Sequence, residues 1–277
     1  MAPTLNLIGA GHVGRVLGRL FAASGTFVVQ DVLTRSRGSA EQACAFIGAG
    51  RALADPGEMR PADAYLLAVG DDQIGPACAA LAAQVPLAGA LVFHCSGAKA
   101  SSELAPAAAA GALVASAHPI RSFADPAAVA REFAGTFCGV EGGPGAFALL
   151  EPALQATGAR VVAIDAQAKT VYHAASVFAS NYLVTVMDAA LRAYGAAGIA
   201  DAQARELARP LAREALENVF RLGAPAALSG PIARGDLATV ARQQEAVQRW
   251  DGPTGALYAA LAEATTALAR RKRAERG

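Results

Sequence analysis

Six residues near the start of the chain, Gly9-Ala10-Gly11-His12-Val13-Gly14, constrain its fold more than any other feature. They give a G-x-G-x-x-G spacing between an apolar run, Leu5 to Ile8, and a helical pattern whose apolar face is Val13, Val16, Leu17, Leu20 and Phe21. Gly9 permits the tight turn, Gly11 lets the backbone approach a phosphate, and Gly14 lets helix and strand pack closely. The helix start, at His12 and Val13, adds amide donors and the positive end of the dipole, so the motif suits a pyrophosphate.

The same alternation of short apolar runs with helical patterns continues to about Asp165. Candidate strands are Leu5 to Ile8, Phe27 to Leu33, Ala64 to Val69, Leu91 to Cys95, Leu113 to Ser116, Gly135 to Val140 and Arg160 to Ala163. From about Ala166 to Arg276 the apolar spacing is helical, with a glycine- and proline-containing interruption near Ala224 to Gly235. The chain therefore reads as α/β: a Rossmann-type, mostly parallel sheet domain over 1–165, then an all-helical C-terminal domain over 166–277 that carries substrate contacts and dimerisation. A length of 277 residues fits two cores better than one.

Charge and composition narrow the partners. With 24 basic and 23 acidic residues the net charge is +1, which gives no field for nucleic acid or an anionic membrane. The 54% hydrophobic content comes largely from alanine, and no uninterrupted, strongly apolar run reaches a membrane-spanning length. The basic run Arg270 to Arg273 reads as the solvated end of the last helix. Cys44, Cys78, Cys95 and Cys138 are scattered in apolar surroundings and read as reduced, buried thiols, and the N-terminus lacks a signal-peptide pattern, so a cytoplasmic location is expected. The histidines lack metal-ligand spacing, so no metal is expected. A small-molecule substrate remains.

The second strand chooses the cofactor. It ends Leu33-Thr34-Arg35-Ser36-Arg37, where Arg35 offers a fork for a 2′-phosphate and Thr34 and Ser36 offer hydroxyls; this favours NADP over NAD. Asp31 is the competing NAD-type acid, but it sits too early in the strand to reach a ribose. Ligands of open parallel sheets lie beyond the carboxyl ends of the strands. Three further ends therefore stand out: Val69-Gly70-Asp71-Asp72, whose glycine lets the cofactor pass while the aspartates read as helix caps; His94-Cys95-Ser96-Gly97, with Ser96 near a nicotinamide; and Ala117-His118-Pro119, whose histidine reads equally as a proton donor or as a structural group.

The helix that opens the second half carries Lys169, His173, Ser176 and Ser180 on one stripe of an otherwise apolar surface. A lysine desolvated in a cleft has a lowered pKa and can exchange a proton with a carbonyl oxygen. These residues predict catalysis by Lys169, with His173, Ser96 and His118 assisting, and substrate contacts from Ser176, Ser180, Asn181 and the later Arg234. Asp236 reads as the N-cap of the following helix.

Together, the glycine motif, Thr34-Arg35-Ser36, His94-Cys95-Ser96-Gly97, His118-Pro119, the Lys169-to-Asn181 helix and Ser229 to Asp236 resemble a bacterial family that joins a Rossmann-like NADP-binding domain to the helical domain of unknown function 2520. More distantly the layout is similar to β-hydroxyacid dehydrogenases, ketopantoate reductase and pyrroline-5-carboxylate reductase. The resemblance implies a homodimer through the helical domain and an NADP-dependent oxidoreductase. In the β-hydroxyacid dehydrogenases a catalytic lysine is followed four residues on by asparagine; Lys169 matches the lysine, and His173 departs from the asparagine. Two other readings stay open: a non-catalytic NADP(H) sensor or scaffold, and a reductase using deazaflavin F420.

Overall fold

The computed structural model describes residues 1–275; Arg276 and Gly277, the end of the expected helical domain, lie outside them. The chain forms two compact units, Met1–Ala179 and Ser180–Gly277. The division expected after Asp165 falls earlier than this one, because the helix opening at Lys169 is fastened to the sheet by that buried side chain.

The first unit is built on one sheet of eight strands: β1 (Thr4–Ile8), β2 (Val28–Leu33), β3 (Arg51–Leu53), β4 (Ala64–Leu67), β5 (Leu91–His94), β6 (Leu113–Pro119), β7 (Phe137–Gly142) and β8 (Arg160–Ala163). Their order is β3-β2-β1-β4-β5-β6-β7-β8, and every neighbouring pair is parallel except β6 with β7. Seven helices accompany them: α1 (His12–Ser24), α2 (Arg37–Ile47), α3 (Ile74–Gln84), α4 (Ala105–Ala109), α5 (Pro126–Arg131), α6 (Pro144–Ala156) and α7 (Lys169–Val177). Successive strand residues feed opposite cores. Leu66 and Phe93 pack on one face with Leu17 and Phe21, whereas Tyr65, Leu67 and Val92 pack on the other with Ile74 and Cys78. Both faces are covered, which is why the strands read as continuous apolar runs rather than alternating ones.

The expected strands are found with their ends moved by up to three residues, as in β7, which runs from Phe137 to Gly142 rather than Gly135 to Val140, and two departures matter for the site. β3 was not foreseen, since three residues between glycines carry no periodic signal; it is held by Arg51, whose guanidinium bonds the buried Asp31 carboxylate. β6 does not stop at Ser116 but continues to Pro119, because antiparallel pairing with β7 sets His118 opposite Gly139 and Pro119 opposite Cys138. His118 is thus a strand residue.

The second unit is helical, with no strand among its described residues: α8 (Leu183–Ala196), α9 (Asp201–Leu222), α10 (Ala224–Ala227), α11 (Gly230–Arg234), α12 (Leu237–Trp250) and α13 (Gly252–Ala274). Asp236 accepts from the Thr239 amide at 3.1 Å and caps α12 as expected. The basic run closes α13, where Lys272 also bonds the Ala226 and Leu228 carbonyls. A π-helical turn, Phe178–Tyr182, precedes α8. The helical run Lys169–Ala196 is long and apolar enough to cross a membrane by length and composition, with a mean hydropathy of 1.3 over its most apolar stretch; the sequence criterion of an uninterrupted apolar run did not foresee this.

Candidate functional site

The carboxyl ends of β1, β2 and β4 surround a cavity of about 830 Å³, a volume usual for a small-ligand or cofactor site. Gly9, Gly11, Thr34, Arg35, Val69 and Gly70 line it, and so do Arg15, Ser39 and Gln73, which the sequence reading did not single out. The three glycines of the motif do different work. Gly9 turns the chain at φ +81°, where an added Cβ would stand 2.6 Å from the Ala68 carbonyl oxygen. At Gly14 a Cβ would stand 2.6 Å from that of Ala68, so this glycine sets the approach of α1 to β4. Gly11 has nothing within 4 Å and leaves the cavity open, and no side chain caps the α1 amides behind it. An uncapped thirteen-residue helix aimed through a glycine into a cavity fits a pyrophosphate.

Arg35 is exposed and makes no hydrogen bond or ion pair among the described residues, so its guanidinium stands available at the cavity wall. Ser36, by contrast, is engaged as the N-cap of α2, accepting from the Ser39 amide at 3.3 Å, and it is Ser39 that reaches the cavity. His12 turns away, donating from Nδ1 to the Phe123 carbonyl at 2.7 Å. Asp31 is fully buried; its carboxylate is held by Arg51 at 2.9 Å and Arg60 at 2.6 Å. Burial alone would raise its pKa, but the two guanidiniums and the Arg60 amide overcome that and hold it at about 2. Asp71 and Asp72 do not cap as expected: they form a short 3-10 turn ahead of α3, whose N-cap is Gln73 without a side-chain bond.

A second cluster lies at the ends of β5 and β6, where α7 begins. Lys169 is 1% exposed, and Nζ donates to the Ser96 carbonyl at 3.0 Å and to Ser116 Oγ. It has no carboxylate within ion-pair distance among the described residues, and burial pushes its pKa down. Ser96 faces its own turn, Oγ accepting from the Ala98 and Lys99 amides, and His94 Nδ1 accepts from the Ser96 amide at 3.1 Å. Behind the turn, the buried Glu141 carboxylate accepts from the Ser101 amide and hydroxyl.

Two imidazoles stand over this turn. His118 Nδ1 is 2.9 Å from the Tyr172 hydroxyl, and its ring meets that of His173 edge to face at 5.5 Å. Burial, with the His173 ring and the Lys169 charge beside it, pushes the His118 pKa down to about 4. His173 Nδ1 is buried without a hydrogen-bond partner. Lys169, His173, Ser96 and His118 are thus brought together as the sequence grouped them, while Ser116, Tyr172, Glu141 and Gly97 join them without having been foreseen.

Ser176 lies on α7 with Lys169 and His173, and Ser180 falls within the π-helical turn Phe178–Tyr182 that follows it. Ser180 Oγ bonds Asn181 Oδ1 at 2.9 Å in the second unit, where Arg234 ends α11 exposed. Among the described residues no three His, Cys, Asp or Glu side chains converge.

Two family models cover most of the chain: a Rossmann-like domain matches residues 3–119, and the domain of unknown function DUF2520 matches residues 136–265. The chain joins a Rossmann-like domain to a DUF2520 domain. No curated protein matches the sequence. Among solved structures, protein TM1727 from Thermotoga maritima is similar over 98% of this chain and 100% of its own, at 23% identity and a TM-score of 0.74. The imine reductase from Myxococcus stipitatus in complex with NADP+ covers 97% and 93%, at 18% identity and a TM-score of 0.67. Pyrroline-5-carboxylate reductase from Coxiella burnetii covers 98% and 99%, at 16% identity and a TM-score of 0.58. At these identities the Rossmann-DUF2520 chain shares the fold of NAD(P)-dependent reductases, the distant likeness that the sequence suggested.

Proposed function

We propose that this Rossmann-DUF2520 protein is an NADP-dependent oxidoreductase that transfers a hydride between the nicotinamide and a small carbonyl, imine or alcohol. The observation that carries the reading is Lys169. A buried ammonium without a carboxylate partner costs several kcal/mol, of order, in desolvation that folding alone does not require, and such groups concentrate where charge develops in a reaction. Gly9, Gly11 and the α1 amides would hold the pyrophosphate, with Arg35, Thr34 and Ser39 toward a 2′-phosphate and Val69 and Gly70 along the ribose. The bound nucleotide would supply the hydride chemistry. Lys169 then places positive charge behind the Ser96-Gly97 turn, where it stabilises negative charge on a substrate oxygen or nitrogen, and His118 and His173 are the groups above that turn able to donate, accept or carry a proton.

Two partner readings accompany this. The second unit exposes the large apolar side chains Val184 (68%), Leu211 (62%), Phe220 (87%) and Leu237 (69%), which supports a homodimer through the helical unit rather than a membrane span. Light scattering should return twice the chain mass. The catalytic reading is tested by following NADPH oxidation against a panel of small aldehydes, ketones and cyclic imines. Turnover by the natural sequence and its loss in Lys169→Met support it; no turnover across the panel, with NADPH bound, moves the protein to the sensor reading.

A further inference from the structure

Arg15 brings a second guanidinium into the nucleotide cavity. It is the fourth residue of α1, directly after Gly14, and lines the cavity with its side chain half-buried. The guanidinium folds back over the glycine turn, where Nε and Nη2 donate to the Ala10 carbonyl at 3.2 and 3.1 Å. Its central carbon also stands 6.0 Å from the centre of the Phe46 ring on α2, at the outer limit of a cation–π contact. A guanidinium has five N–H donors, and the Ala10 carbonyl is the one hydrogen-bond acceptor that Arg15 meets among the described residues. Nη1 therefore keeps both of its N–H bonds for a ligand, on a side chain that is already held in place.

The contact with α2 fixes the side of the turn on which this charge lies. The α1 amides face a pyrophosphate, whereas Arg15 leans toward α2, whose first turn brings Ser39 to the same cavity. This wall belongs to the adenosine end, because dinucleotides place the adenosine ribose at the end of the second strand, which here carries Arg35. Its hydroxyl donors are few: Thr34 spends its proton on the Ser36 carbonyl at 2.8 Å, and Ser36 caps α2. None of the residues lining the cavity is acidic, and among the described residues neither Arg15 nor Arg35 is in an ion pair. The wall thus offers two unneutralised guanidiniums and no carboxylate for a free ribose diol. A phosphomonoester, with roughly two negative charges near neutral pH, matches that pair.

We propose that Arg15 is a second ligand of the cofactor's 2′-phosphate, closing on it from α1 while Arg35 closes on it from the end of β2, and that this pair sets the preference for NADP over NAD. The inference rests on the nucleotide half of the oxidoreductase reading and deepens it, since the specificity is then shared with the glycine-turn helix instead of residing at the β2 end alone. The two arginines contribute differently. Arg35 is exposed and untethered, so it loses side-chain freedom when a phosphate arrives. Arg15 is ordered beforehand by the Ala10 carbonyl, and binding costs it little further ordering.

The test uses two cofactor fragments of equal phosphate content. Adenosine 2′,5′-bisphosphate carries the 2′-phosphate, and ADP carries both of its phosphates at the 5′ position. Calorimetric titration of the full-length protein should show the natural sequence binding the 2′,5′-bisphosphate more tightly than ADP. Arg15→Gln should weaken the 2′,5′-bisphosphate about 10-fold and ADP less than about 2-fold, as expected for one charge-assisted bond to a single phosphate. In the double variant Arg15→Gln, Arg35→Ala the two fragments should bind alike. Should Arg15→Gln not fold, Arg15→Lys keeps the charge but not the fork that spans Ala10 and a phosphate, and a several-fold loss confined to the 2′,5′-bisphosphate is expected. Equal weakening of both fragments would give Arg15 to the pyrophosphate, and unchanged binding of the 2′,5′-bisphosphate would leave it a brace of the glycine turn; either result overturns the proposal. Failure of the wider cofactor reading looks different, because the natural sequence then binds neither fragment. If only this inference fails, the natural sequence binds the 2′,5′-bisphosphate and loses affinity in Arg35→Ala but not in Arg15→Gln.

Discussion

The two strand-end clusters of the first unit are built from opposite materials. Around the ends of β1, β2 and β4 the functional parts are backbone amides, empty space and an exposed guanidinium. Around the ends of β5 and β6 they are buried side chains, with Lys169 reaching Ser96 and Ser116 across more than fifty residues of chain. The first arrangement costs little, because amides at a helix start and a surface arginine are solvated until a ligand arrives. The second carries a desolvated charge and an unpartnered imidazole nitrogen, costs that are retained where chemistry uses them.

Damage to the two clusters should therefore appear in different observables. The largest effect is expected from Lys169→Met: a drop of about 100-fold or more in turnover, the size usual for losing one preorganised charge donor, with NADPH affinity within a few-fold of the natural sequence. Parallel loss of nucleotide affinity would merge the clusters.

Asp31→Asn should cost about 2–3 kcal/mol in urea unfolding near neutral pH, because it strips two guanidiniums of a buried carboxylate. Asp31 has its pKa lowered from 3.8 to about 2 in the fold, so its stabilisation is complete above the unfolded value and is lost as pH falls toward the folded one. The gap between Asp31→Asn and the natural sequence should therefore narrow below about pH 4, by roughly 2 kcal/mol in full. A constant gap would show that the carboxylate's charge is not what stabilises β3.

These particular residues show what a sequence can convey. The glycine motif, the order of strands and helices and the fate of Asp31 were legible because each follows from local spacing: a turn, a period, a position within a strand. The grouping of Lys169, His173, Ser96 and His118 was legible because strand ends meet at one edge of a parallel sheet. Tyr172, Ser116 and Gly97 were not, since their meaning depends on β6 continuing to Pro119 and pairing antiparallel with β7, which no local pattern announces. The π turn that contains Ser180 was not legible either, since an α-helical period runs through it without a break in the sequence pattern. Arg15 and Ser39 were passed over because one looks like a solvated helix residue and the other like the third residue of an ordinary helix.

Smaller perturbations sharpen the nucleotide cluster. Gly14→Ala puts a Cβ 2.6 Å from that of Ala68 and should cost about 1–3 kcal/mol of stability while weakening NADPH, because α1 must shift. Ser36→Ala removes only a cap and should cost about 1 kcal/mol in thermal or urea unfolding with NADPH affinity nearly unchanged. A large loss of affinity in Ser36→Ala would give that hydroxyl the phosphate role assigned here to Ser39.

The most direct test is a fluorescence titration of the purified protein with NADPH and, separately, with NADH, repeated on Arg35→Ala. The account predicts that NADPH binds more tightly than NADH and that Arg35→Ala weakens NADPH by about 10-fold or more, the worth of a charge-assisted phosphate bond, while leaving NADH nearly unchanged. Binding of neither nucleotide, or equal binding of both with no effect of Arg35→Ala, would contradict it.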